Sequence, residues 1–202
     1  MPELLTVLID FLFPPSADTR LIKTVTDEEW AAYYQPQHFK ETTFLSHYHT
    51  PAIQAAIREN KFHHNPHAAL LLGTLLQRWN KSQDSPTLFI PIPLGKKRER
   101  ERGHNQIVTI LKAAQLESQM NTHLLKRQRE TPPQVQLEKT AREKNVIGAF
   151  TVATPIVMPS IPTRIVLLDD VVTTGATMQA AKQALLPYLP AHCTLQCLAL
   201  AH

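Results

Sequence analysis

The chain has 202 residues, 43% hydrophobic and 19% charged, with 21 Lys and Arg against 17 Asp and Glu and a formal charge of +4. This fits a soluble globular protein with one sizeable core and a small appendage, and its mildly basic balance suits phosphorylated ligands or weak nucleic-acid contact without selecting either. Two cysteines exclude a disulfide framework, which makes a reducing cytoplasm the default location.

The apolar start, Met1 to Phe13, has an early acid, no basic flank and no small-residue cleavage site. It is neither a secretory signal nor a membrane span, and it reads as a helix stopped by Pro14-Pro15. Residues 16–50 look irregular, with Trp30, Tyr33, Tyr34, Phe39 and Phe44 as scattered anchors and a short strand over Thr42 to Tyr48. Thr50-Pro51 and Asn65-Pro66 are helix starts, a capping side chain followed by proline at the first helical position. Ile53, Ala56 and Ile57 stripe the first helix; Ala69, Leu72, Leu76 and Trp79 stripe the second. His63, His64 and His67 lie between them, in a solvated loop.

A strand follows over Thr87 to about Ile90, then a basic run from Lys96 to Arg102 with five cations against two acids. Ile107, Ile110, Leu111 and Ala114 begin another helical stripe. A short strand is expected over Thr122 to Lys126, then a mobile loop and charged helix over 127–145, a strand after Asn145, and a proline-bounded connector from Pro155 to Pro162. Cys197 falls in a final apolar strand. Strands alternating with helices predict an α/β fold with a parallel sheet. We divide it into residues 1–80, helical or irregular, and 81–202, the main domain.

The most informative segment runs from Arg164 to Met178. Ile165, Val166, Leu167 and Leu168 form an apolar run that fits a strand covered on both faces. Asp169 and Asp170 stand at its carboxyl end, where open α/β sheets bind ligands. Thr173, Thr174, Gly175, Ala176 and Thr177 lead into a helix marked by Met178, Ala181 and Leu185. Its amino terminus offers unpaired N–H groups to an anion, and Gly175 lets the backbone approach closely. Carboxylates for hydroxyls, beside a hydroxyl-rich loop for phosphate, suit a sugar phosphate. The basic run suits a diphosphate, because arginine presents forked donors to phosphate oxygens.

Val166-Leu-Leu-Asp-Asp-Val-Val-Thr-Thr-Gly-Ala-Thr177 resembles the signature by which type I phosphoribosyltransferases bind phosphoribosyl diphosphate (PRPP). Pro91-Ile-Pro-Leu94, Lys97-Arg98 and Glu101 to Gln106 are similar to the ComF family of competence-associated proteins of that kind. So are Leu125 to Arg127, Thr131 with Gln134, and Ala141-Arg142 with Asn145 to Phe150. The resemblance implies a type I phosphoribosyltransferase fold. Asp169 and Asp170 would face the ribose hydroxyls, one through a magnesium-bound water. Thr173 to Thr177 would take the 5-phosphate. Leu94, Gly95, Lys96 and Lys97, with Arg98 or Arg102, would hold the diphosphate. Arg142 would close over the site, with Arg127 a weaker candidate for the same part.

Two functions follow from the resemblance. One is a pentosyltransferase moving phosphoribosyl to an unidentified nitrogen acceptor. The other is a PRPP-binding module acting in DNA uptake through a helicase, a recombination factor or, less well supported, single-stranded DNA itself. Family members commonly carry a zinc-finger-like cysteine cluster near the amino terminus. Ser16 to Trp30 contain no Cys or His, so no zinc is expected there.

Overall fold

The computed structural model describes residues 16–128, 148–153 and 163–202. The apolar run Ile165 to Leu168 is the middle of strand β6 (Arg164–Val171), with all four side chains buried. Successive side chains of a strand point to opposite faces. Val166 and Leu168 therefore enter one core, and Ile165 and Leu167 enter another. Strand β7 (Thr194–Ala201) divides in the same way, with Leu198 and Leu200 on the first side and Cys197 and Ala199 on the second.

With β1 (Gln37–Phe39), β2 (Thr42–Ser46) and β3 (Thr87–Pro91), these strands form a five-stranded sheet in the order β1-β2-β7-β6-β3. The ladders β2–β7, β7–β6 and β6–β3 are parallel, and β1 runs antiparallel to β2 at the edge. The molecule is thus mixed α/β with a mostly parallel central sheet. On one face lie helices α1 (Ala17–Thr24), α2 (Asp27–Ala32), α3 (Pro51–Phe62), α4 (Pro66–Lys81) and α6 (Gln106–Ala113). The other face is covered by α7 (Ala176–Leu185) and a small antiparallel pair, β4 (Leu125–Arg127) and β5 (Phe150–Val152). The short α5 (Lys96–Arg102) buries none of its residues.

Residues 16–50 are not irregular. They hold α1, α2 and the β1–β2 hairpin. Ser16 caps α1 by accepting the Thr19 N–H at 2.9 Å, and Thr26 with Glu29 forms a reciprocal capping box on α2. Helices of 8 and 6 residues are too short to display a clear apolar period, so their caps were the readable signal. Both proline-led helix starts hold. Asn65 caps α4 by accepting from His67 and Ala68, but Thr50 makes no capping hydrogen bond, so at α3 only the proline acts.

Strand β3 extends through Pro91, one residue past its expected end. It is an edge strand, where a missing N–H is tolerated. One sheet spans the expected boundary near residue 80: β1 and β2 precede it, and β3, β6 and β7 follow. The expected helix over Met1 to Phe13, the segment around Arg142 with Thr131, Gln134 and Asn145, and the connector Pro155 to Pro162 lie outside the described residues.

Candidate functional site

The alternation that splits the core also separates the two acids. Asp170 continues the side of Val166 and Leu168, toward α3 and α6. It is 5% exposed, and its Oδ2 lies 2.7 Å from Lys61 Nζ and accepts from Gln106 Nε2 at 3.0 Å. Gln106 is held in turn: its Oε1 accepts from Arg102 at 3.1 Å, and its backbone carbonyl accepts from the buried Asn60 side chain at 3.1 Å. A continuous polar chain therefore runs Arg102, Gln106, Asp170, Lys61. A buried carboxylate needs such partners, because an unpaired charge in the interior is costly.

Asp169 points to the opposite side and is half-buried. Its Oδ1 accepts the Asp170 N–H at 2.9 Å. Burial, and secondarily the charge of Asp170, push its carboxyl up to about 7, against the pull of Lys61, that backbone bond and Arg127. The two acids thus differ in kind. Asp170 is tied to the helical layer, and Asp169 is a carboxyl whose proton is exchangeable near neutrality.

The loop after β6 is fixed at both ends. The Val172 N–H donates to Ala201 O at 3.0 Å, and the Val172 carbonyl lies 2.9 Å from His202 Nδ1. Gly175 is the N-cap of α7 with φ of +79°, a conformation that L side chains rarely adopt. The Ala176 N–H turns toward Thr174 Oγ1 at 3.4 Å. From the turn of the β1–β2 hairpin, Lys40 Nζ donates to the Thr174 carbonyl at 2.8 Å. The hairpin thereby clamps a loop more than a hundred residues later in the chain.

The basic run forms helix α5. Helical spacing puts residues four apart on one side, so Arg98 and Arg102 line the same cavity as Leu94. Gly95 serves as the helix N-cap, and Lys96 and Lys97 are exposed outside that lining, with Lys97 Nζ 3.9 Å from Glu101. Of the six residues expected at a diphosphate, three line the cavity and three do not. Desolvation lowers the Arg102 guanidinium from its ordinary range, partly offset by Asp170 and Asp169.

The cavity measures about 640 Å³ and takes in Asp169, Asp170 and all of Thr173 to Thr177. Arg127, the weaker closing candidate, also lines it, with its guanidinium 5.3 Å from the Phe150 ring. Several contributors were not singled out in the sequence. Tyr48, Arg58, Lys61 and Phe62 all belong to the first eighty residues, as does Asn60 behind them. The readable signal was Asn60: it continues the stripe of Ile53, Ala56 and Ile57, and a polar residue at a core position requires a partner. Among the described residues, no group of three His, Cys, Asp or Glu side chains converges on one point, and no helix is long and apolar enough to cross a membrane.

The chain is similar to proteins named DNA utilization protein YhgH. It is 30% identical over 146 residues to that of Shigella flexneri, a match covering 68% of this chain and 63% of the relative. The Escherichia coli (strain K12) protein of that name is 29% identical over 146 residues, again 68% of this chain and 63% of the relative. The Salmonella typhimurium protein is 28% identical over 160 residues, 75% of this chain and 68% of the relative. The match thus spans less than two thirds of the first of these relatives. No family model matches the chain.

Proposed function

We propose that the cavity binds PRPP with magnesium, in a domain of the type I phosphoribosyltransferase kind and of ComF type, and that the protein acts in DNA utilization as its named relatives do. One observation carries this reading. The acid pair at the end of β6, the whole Thr173–Thr177 loop at the start of α7, and Arg98 with Arg102 line a single cavity. Each part supplies a different piece of the ligand's chemistry. The loop N–H groups and hydroxyls suit the 5-phosphate, Asp169 suits the ribose hydroxyls, and the two arginines suit the diphosphate.

Magnesium prefers one or two carboxylates completed by phosphates and waters. The residues fit that preference. Asp169 lies at the cavity, while Asp170 is already engaged by Lys61 and Gln106. Bound there, the ion would neutralise charge on the diphosphate.

A PRPP-binding module that serves DNA handling is the reading closest to the relatives' name. A transferase is favoured by the part of the cavity that a sugar phosphate does not explain, the wall of Tyr48, Ile57 and Phe62. In that case a nitrogen lone pair forms the bond to ribose carbon 1, the bond from that carbon to the diphosphate oxygen breaks, and the nitrogen loses its proton. The protein's part is positioning and electrostatics.

Calorimetric titration of PRPP with magnesium tests the reading. Saturable binding by the wild type is expected, weakened at least tenfold in an Asp169→Asn/Asp170→Asn variant whose fold is verified by circular dichroism. No binding by the wild type sinks it. Diphosphate release with a panel of bases and amines separates the two forms: release selects the transferase, and binding without release selects the module.

A further inference from the structure

We propose that Lys40 is a positioning residue for the 173–177 loop: it holds the Thr174–Gly175 peptide so that the Gly175 N–H faces an anion in the cavity. Lys40 sits at the tip of the β1–β2 hairpin, and its Nζ donates to the Thr174 carbonyl at 2.8 Å. It lines a second cavity, of about 440 Å³, and is not among the residues that line the first. Thr174, Gly175 and Ala176 line both, so the loop is the partition between an inner and an outer cavity.

The direction of one peptide follows from this. A trans peptide is planar, and its carbonyl and N–H point opposite ways. Lys40 draws the Thr174 carbonyl toward the outer cavity, so the N–H of the same peptide, that of Gly175, turns toward the inner one. The φ of +79° at Gly175 lets the chain bend at this point. With the peptide reversed, a carbonyl oxygen would face the phosphate and repel it. The ammonium opposes that reversal, because only the outward carbonyl reaches it. Its hydrogen-bond partner is neutral, so its positive charge also stands behind the loop and adds to the pull of the α7 amino terminus on an anion.

Turn chemistry does not account for a lysine here. Lys40 has φ of +53°, a left-handed conformation in which glycine or asparagine sits with less strain. Its stem lies against the loop, with Cδ 3.7 Å from where a Gly175 Cβ would stand. Docking of the hairpin has a tie of its own, because Glu41 Oε2 lies 2.9 Å from Lys182 Nζ on α7. The neighbouring residues thus divide the work: Glu41 fastens the hairpin to the helix, and Lys40 sets the peptide. The inference deepens the PRPP reading and rests on it for the identity of the anion, a sugar 5-phosphate.

The test titrates the full chain with ribose 5-phosphate, with magnesium and PRPP, and with magnesium and inorganic diphosphate. Wild type is compared with Lys40→Asn, which suits the turn but cannot reach Thr174, and with Glu41→Gln, which removes only the tie to α7. Circular dichroism verifies each fold. Lys40→Asn is expected to bind ribose 5-phosphate and PRPP about tenfold more weakly, as for loss of a charge-assisted hydrogen bond. Its affinity for diphosphate, and all three affinities of Glu41→Gln, should stay within about twofold of wild type. The proposal is overturned if neither phosphate ester binds the wild type, if Lys40→Asn leaves their affinities unchanged, if diphosphate weakens equally, or if Glu41→Gln loses as much. Ribose 5-phosphate bound through Lys40 without any binding of PRPP would keep this proposal and end the PRPP reading. PRPP bound equally by wild type and Lys40→Asn would do the reverse.

Discussion

At the scale of the residue, the cavity turns on two adjacent aspartates in different surroundings. Strand alternation sends Asp170 to a lysine and a glutamine, and leaves Asp169 on the opposite side, beside that charge. The consequence can be measured. The Asp169 carboxyl is raised from 3.8 to about 7 by burial and then by Asp170. Between those values the folded chain holds a proton that the unfolded chain releases, so stability falls as pH rises through this window and levels off above it. Thermal unfolding from about pH 4 to pH 8 should therefore show the wild type losing stability relative to Asp169→Asn as pH increases. Parallel profiles for the two proteins would mean that Asp169 titrates like an ordinary carboxylate. The comparison is needed because Asp18 and Glu59, both lowered by their hydrogen-bond partners, act with the opposite sign at lower pH.

At the scale of the element, helix α4 meets α6 through Gly73. A Cβ there would stand 3.0 Å from the Ala114 nitrogen and 3.3 Å from both the Ala113 carbonyl carbon and the Ile110 oxygen, all backbone atoms. Intrinsic propensity favours alanine over glycine by about 1 kcal/mol inside a helix. Backbone cannot swing aside as a side-chain tip does, so an overpacking cost of about 1–3 kcal/mol should outweigh that gain. Urea unfolding of Gly73→Ala is expected to show lower stability than wild type, and a gain would mean that the two helices separate freely. This crossing matters for the cavity because α6 carries Gln106. Elements with strong local signals were readable from the sequence. The run Ile165 to Leu168 and the stripe Met178, Ala181, Leu185 gave β6 and α7 with their buried faces. The hidden parts depend on contacts between distant segments. Nothing local to Lys40 announces the Thr174 carbonyl, and nothing local to Lys61 announces Asp170. The basic run was read as charge alone, although the four-residue spacing of Arg98 and Arg102 already implied which two cations share a side.

At the scale of the whole molecule, four parallel strands bring their carboxyl ends to one edge, and the cavity forms beyond the end of β6. This is where an open α/β sheet binds ligands. The first eighty residues are part of that construction. They supply two strands of the sheet, the Lys40 clamp, the Lys61 ion pair and the aromatic wall. The most direct test of the account is to map the backbone amides of this 22.8 kDa chain by NMR during titration with magnesium and PRPP. The account expects the largest shifts at Thr173 to Thr177 and at Asp169, with smaller ones at Arg98 and Arg102. Saturation without perturbation of the 173–177 loop, or no saturation at all, would contradict it.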